Sequence, residues 1–114
     1  MGWYIAKIVF QINNGQNSKS QFDEHIRLIE AANFDEAFLK ARMLGLQEEA
    51  SFLNDQDKLV KWEFVNVSEI LPVRELCDGQ ELYSQIHEAD DAAPYVNYIH
   101  QKAVTLQLKY RPVF

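Results

Sequence analysis

Cysteine is almost missing from this chain. Cys77 stands alone, so no disulfide can form within it, and a reducing, cytoplasmic setting is expected. Positive charge is also scarce: Lys and Arg number 11 against 17 Asp and Glu, a formal net charge of -6. A protein that grips a nucleic-acid backbone carries a basic patch, so nucleic acid is not expected as a partner. Long apolar runs are absent too. Nothing approaches the roughly 18 residues that cross a bilayer, and no membrane association is expected. The opening MGWYIAKIVFQI lacks the basic region and small-residue cleavage site of a signal peptide. Myristoylation would want Ser or Thr where Ala6 stands. The four glycines are never grouped, which excludes a glycine-rich phosphate loop.

What is present is apolar and periodic. The 114 residues are 47% hydrophobic and 12% aromatic, enough for one domain over 1–114 that buries about two-thirds of its unfolded surface. The clearest period runs from Phe34 to Phe52. Phe34, Ala37, Phe38, Ala41, Leu44 and, less strictly, Leu46 and Ala50 recur at steps of three and four, which puts them on one side of a helix. Asn33 suits the N-cap, with Glu36 as its capping-box partner. Gly45 lies inside this helix and marks either a kink or a close backbone approach.

Strand patterns flank the helix. Trp3 to Ile12 alternates, with Tyr4, Ala6, Ile8, Phe10 and Ile12 on one face and a mixed set on the other, as in a central strand. After the polar loop 13–20, Phe22 to Ala31 forms an antiparallel partner. Its expected inner face is Phe22, Ile26 and Leu28; its wet face is Asp23, His25 and Arg27. Asn54 to Asp57 reads as a plain turn, since the glycine and terminal Glu of a calcium loop are missing. Leu59 to Ile70 is the third strand. The apolar face switches between Phe64 and Val65, as a β-bulge requires, and Pro72 ends it. Gln80 to His87 is the fourth strand. A second helix is expected over about 92–106, although Val104, Leu106, Leu108 and Tyr110 also alternate like a strand, and both readings of 104–110 stay open. The result is an α+β fold: a four-stranded, mainly antiparallel sheet in the order β-β-α-β-β-α, with helices packed on one face.

The Trp3-Tyr4 strand, the helix through Ala37 and Ala41, the Phe52-Leu53-Asn54 exit, the Trp62-Glu63-Phe64-Val65-Asn66-Val67 strand and the Glu81-Leu82-Tyr83-Ser84 segment together resemble the small bacterial family DUF4288, a domain of unknown function. The resemblance covers about residues 3–87; 88–114, the second helix and tail, falls outside it. It implies a bacterial, soluble, single-domain protein, and it carries no catalytic residue to transfer.

The residues themselves offer little chemistry. His25, His87 and His100 are the only histidines, and no two share a metal-ligand spacing. Acids flank Cys77, which raises a thiol pKa rather than lowering it. No catalytic, metal or cofactor residues are therefore assigned, and no cofactor is expected. Two surfaces stand out. Trp3, Ile5, Val9, Val65 and Val67, with Tyr110 and Phe114 of the tail, form a possible interface, because an open apolar sheet face is rarely left uncovered. Glu75, Asp78, Glu81, Glu88, Asp90 and Asp91 form a possible acidic patch without an intervening Lys or Arg. The leading expectation is a non-enzymatic interaction or assembly module, a homodimer with an unidentified protein partner. Its alternatives are a small-ligand or enzymatic module with an aromatic pocket near His25 or His87, and an immunity-type inhibitor of a basic toxin.

Overall fold

The Asn33 side chain accepts the Glu36 N–H at 2.9 Å. This closes the first turn of α1 (Phe34–Gln47) as the sequence predicts. Glu36 does not need to reach back; its carboxylate lies 3.8 Å from the Lys40 ammonium one turn on. The structure is a computed structural model that describes residues 1–15 and 20–109. The chain divides into two compact units, Met1–Ser84 and Gln85–Phe114.

The first unit is a four-stranded antiparallel sheet crossed by α1. Its strands are β1 (Gly2–Asn13), β2 (Gln21–Ala31), β3 (Ala50–Leu53) and β4 (Leu59–Val73), in the spatial order β2-β1-β4-β3. Every pairing is antiparallel. The two longest-range partners, β1 and β4, occupy the centre. Ala6, Ile8 and Phe10 of β1 face α1 and join Ile29 and Ala31 of β2 and Ala37 and Ala41 of α1 in one buried cluster. Small residues dominate the contact, which lets the helix backbone approach the sheet. Gly45 completes that approach, so of its two expected roles the close contact is the one observed.

Two register shifts interrupt the β1–β4 ladder. Lys7 pairs with Glu69 but Ile8 with Val67, and Val9 pairs with Asn66 but Phe10 with Phe64. Ser68 and Val65 are thus the extra residues. The bulge expected after Phe64 is present, and a second follows it. Bulges increase local twist, and the sheet is curled.

Several expectations are corrected. The helix stops at Gln47 rather than Phe52. Ala50–Leu53 leaves it as β3 and pairs with 59–62 of β4, so the spacing of Leu46 and Ala50 only imitates a further helical turn. The turn between them is held by Asn54, whose side-chain oxygen accepts from Gln56 N at 2.9 Å and Lys58 N at 3.1 Å. β4 continues through Pro72, opposite Tyr4. Proline is tolerated there because β4 has a strand on one side only, β3 having ended opposite Trp62. Gln80–His87 is not a strand: residues 80–89 have no regular structure. Tyr83 instead lies beneath the Lys7 ammonium, 5.7 Å from ring centroid to Nζ. The chain therefore reads β-β-α-β-β-α, but its third and fourth strands are 50–53 and 59–73. The faces of β2 are also reversed, as described below.

The second unit contains α2 (Ala92–Lys109). Pro94 lies in its first turn, and Asp91 Oδ1 accepts from Ala93 N at 3.3 Å. Residues 104–109 are helical, which decides that ambiguity up to Lys109; Tyr110 lies outside the described residues.

A methyl group on Gly45 would collide with the Phe64 ring and stand 3.1 Å from Ile8 Cγ2. Gly45→Ala should therefore lower stability by about 1–3 kcal/mol in urea unfolding. An exposed helical glycine would show the reverse, gaining about 1 kcal/mol from helix propensity.

Candidate functional site

β2 alternates as the sequence indicates, but the opposite set faces the helix. Its register with β1 pairs Ala6 with Arg27, Ile8 with His25 and Phe10 with Asp23. Directly opposed residues share a face, so Asp23, His25 and Arg27 stand on the α1 side beside the core. Phe22, Ile26 and Leu28 stand on the other side, 56%, 51% and 49% exposed. The parity is decided at the far end of the strand, where Ile29 and Ala31 are buried against the start of α1.

The three polar residues form one connected cluster with Glu48 and Trp62. His25 Nε2 lies 2.7 Å from Asp23 Oδ2. The same carboxylate oxygen accepts the Trp62 indole N–H at 3.0 Å. Arg27 Nη2 lies 3.3 Å from His25 Nδ1 and donates to Glu48 Oε2, tying β2 to the C-terminal end of α1. The Phe10 ring closes the cluster from below, 5.0 Å from the imidazole centroid. Asp23 and Trp62 belong to β2 and β4, with β1 between them, and the curl of the sheet brings them together. On its other side Trp62 stacks on Phe52 at 5.7 Å.

A guanidinium can only donate. In the neutral ring, Nδ1 of His25 must therefore accept from Arg27, and the proton sits on Nε2, facing Asp23. Both ring nitrogens are engaged, so neither is presented to a substrate. Partial burial pushes the Asp23 carboxyl upward. The Trp62 N–H, the hydrogen bond and charge of His25 and the charge of Arg27 outweigh it and hold the group below its ordinary value of 3.8. The cluster is a polar latch between sheet and helix end. Among the described residues, no group of three His, Cys, Asp or Glu is placed to hold a metal ion.

The other candidates are scattered. His87 belongs to the second unit, where its ring stacks on Tyr95 at 4.8 Å. Cys77 is exposed, and its thiol meets Gln80 Oε1 at 3.7 Å. Of the expected interface, Trp3 is exposed and Ile5 is buried, while Val9 is half-buried. Val65 is an exposed bulge residue. Val67 does not belong to that face: it pairs with Ile8 and packs against the core, because the two bulges shift its facing. Tyr110 and Phe114 lie outside the described residues. The six acidic residues are all exposed; Glu75, Asp78 and Glu81 belong to the first unit and Glu88, Asp90 and Asp91 to the second.

Lys7 shows how the open face treats charge. Its ammonium pairs with Glu24 at 3.0 Å. That hydrogen bond, together with the charge of Glu24 and the neighbouring Tyr83, raises its pKa against the pull of desolvation. Glu69 of β4 stands opposite it on the same face. Of the shallow hollows on the first unit, one of about 420 Å³ is lined by Glu49, Ala50, Ser51, Lys61, Trp62 and Glu63. It borders the Trp62 edge of the latch.

The sequence model of a family described as a domain of unknown function (DUF4288) matches residues 3–84. No curated protein and no solved structure matches the chain.

A carboxyl held below its ordinary value stabilises the fold at pH values above its unfolded pKa, and that contribution is lost as pH falls through the folded one. Asp23→Asn should therefore reduce stability at neutral pH by about 1 kcal/mol, allowing for partial exposure. It should also flatten the fall in stability below about pH 4. Urea midpoints measured from pH 7 down to pH 2.5 check both; parallel curves for the two proteins would remove Asp23 from the latch.

Proposed function

The chain belongs to the DUF4288 family, and we propose that it is a non-enzymatic interaction module of the bacterial cytoplasm that works as a homodimer. One observation carries this reading: the edge strand β2 turns Phe22, Ile26 and Leu28 to solvent, each about half exposed, on the sheet face that α1 does not cover. Trp3 and Val9 of β1 adjoin them on the same face through the pairings Trp3 with Glu30 and Val9 with Glu24. Half-burying each of these side chains again would gain on the order of 1 kcal/mol, and exposed apolar side chains gathered on one face, here around the Lys7–Glu24 ion pair, mark an association site. The chemistry of the cluster supports the same reading. His25, the histidine nearest the core, has both nitrogens occupied by Asp23 and Arg27, which suits a latch better than an acid–base group.

Light scattering behind size exclusion at micromolar concentration should give twice the 13.3 kDa of one chain. A mass of one chain would remove the homodimer from this reading.

A further inference from the structure

We infer that the occupant of the β2 edge is β2 of a second copy, paired antiparallel about a two-fold axis at His25 so that the two sheets become one. This rests on the homodimeric reading above and names its surface.

The edges of the sheet are not equivalent. β3 is four residues long. The outer side of β4 beyond Trp62 carries both bulges and Pro72, and the Phe64 N–H is taken by the Glu49 carboxylate at 2.9 Å. These are the devices by which sheet edges are protected from pairing. β2 has none of these; its guards are charged side chains, Asp23, Glu24, Arg27 and Glu30, which oppose a strand of the wrong register and accept one of matching charge. Its eleven residues contain no proline, glycine or lysine, and its ladder with β1 runs from Gly2–Ala31 to Ile12–Gln21 without a shift. It is a regular edge, and among the described residues its outer N–H and C=O groups face no strand of the sheet.

Side chains then select the register. Opposed residues in an antiparallel pair lie on the same face, so in a continuous sheet the two-fold axis must pass through a residue position. An axis at Glu24 sets Glu24 against the partner's Glu24. An axis at Arg27 sets Arg27 against the partner's Arg27, and Glu24 against the partner's Glu30. Like charges directly opposite are destabilising. An axis at Ile26 avoids that but leaves Phe22 against the partner's Glu30. An axis at His25 sets Phe22 against the partner's Leu28 and Asp23 against the partner's Arg27, each twice by symmetry; Glu24 then meets the partner's Ile26 and His25 the partner's His25, and no two carboxylates or guanidinium groups are opposed. Charge complementarity of this kind fixes register in strand pairing. Phe22 and Leu28, both exposed, each gain an apolar cross-strand neighbour in the same step.

The test uses the whole chain with Cys77→Ser. Phe22→Cys and Leu28→Cys proteins are made separately, mixed and oxidised. At the inferred register positions 22 and 28 of opposite chains are about 5 Å apart between Cα atoms, within disulfide reach. Positions 22 and 22, or 28 and 28, are offset by about 20 Å. The mixture should therefore form a linked dimer and each protein alone should not. A second pair of variants reads charge. At this register residue 26 faces the partner's Glu24, so Ile26→Glu should weaken association at least tenfold more than Ile26→Lys. Ile26 is already half exposed, and circular dichroism checks that both variants keep the fold. A dimeric wild-type protein with no mixed disulfide and equal effects of the two charges would overturn this inference and leave the homodimer to another face, such as the exposed side of α2. A monomeric wild-type protein would remove both.

Discussion

The closeness of α1 to β1 is the constraint on which the first unit depends. How closely a helix backbone approaches its packing partner depends on the size of the side chains at the contact. Here the facing helical residues are Ala37, Ala41 and Gly45, all buried, and they meet Ala6 and Ala31, fully buried, and the large Ile8 and Phe10. The large side chains come from the sheet and the small ones from the helix. This division explains why Leu39, Met43 and Leu46 on the outer face of the helix are exposed: the inner face has no room for them. It also explains the weight that Phe64 bears, since its ring fills the space a Cβ at position 45 would claim.

The curl of the sheet follows from β4. Two extra residues on one strand of the central pair, Val65 and Ser68, force the ladder to twist twice within a few residues. Side chains at that end converge on the helix side, and Trp62 of β4 reaches Asp23 of β2 across β1. Without the bulges Val67 would face away from Ile8 and the core would lose it. The polar latch and the packing of Val67 thus depend on the same irregularity. At the other edge of β4, the carboxylate of Glu49 accepts the Phe64 N–H at the point where β3 ends, which keeps that amide satisfied.

Sequence reasoning reached the elements better than their facing. Asn33, the Ala37–Ala41 repeat, the alternation of β1 and the switch at Phe64–Val65 are local signals, and each corresponds to a feature of the fold. The end of α1 was illegible because Leu46 and Ala50 keep helical spacing while Ala50–Leu53 is fixed by a non-local partner, 59–62. The alternation of Leu82, Ser84 and Ile86 suggested a strand, but alternation specifies a strand only if an edge is available to pair with it. The polar cluster was missed for a different reason. Weighing β2 by its largest apolar residues selects Phe22, Ile26 and Leu28 as the inner set. The signal that could have corrected this is Ile29 with Ala31, immediately before the cap at Asn33. A strand that enters a helix through a two-residue link must point its last small residue at that helix.

That choice of parity joins the two surfaces of β2. A one-residue slip would exchange every side chain between the faces, burying Phe22, Ile26 and Leu28 and releasing Asp23, His25 and Arg27 to water. By area alone the slipped strand would be favoured by a few kcal/mol. It is opposed at the helix end, where Ile29 and Ala31 would be replaced beneath α1 by Glu30 and Leu28. Placing an unpaired carboxylate there costs several kcal/mol. The latch lowers the penalty of the observed parity, since Asp23, His25, Arg27, Glu48 and Trp62 satisfy one another. The exposed apolar row is therefore the consequence of how β2 enters α1. A cover for that row recovers the burial that the helix junction denies it.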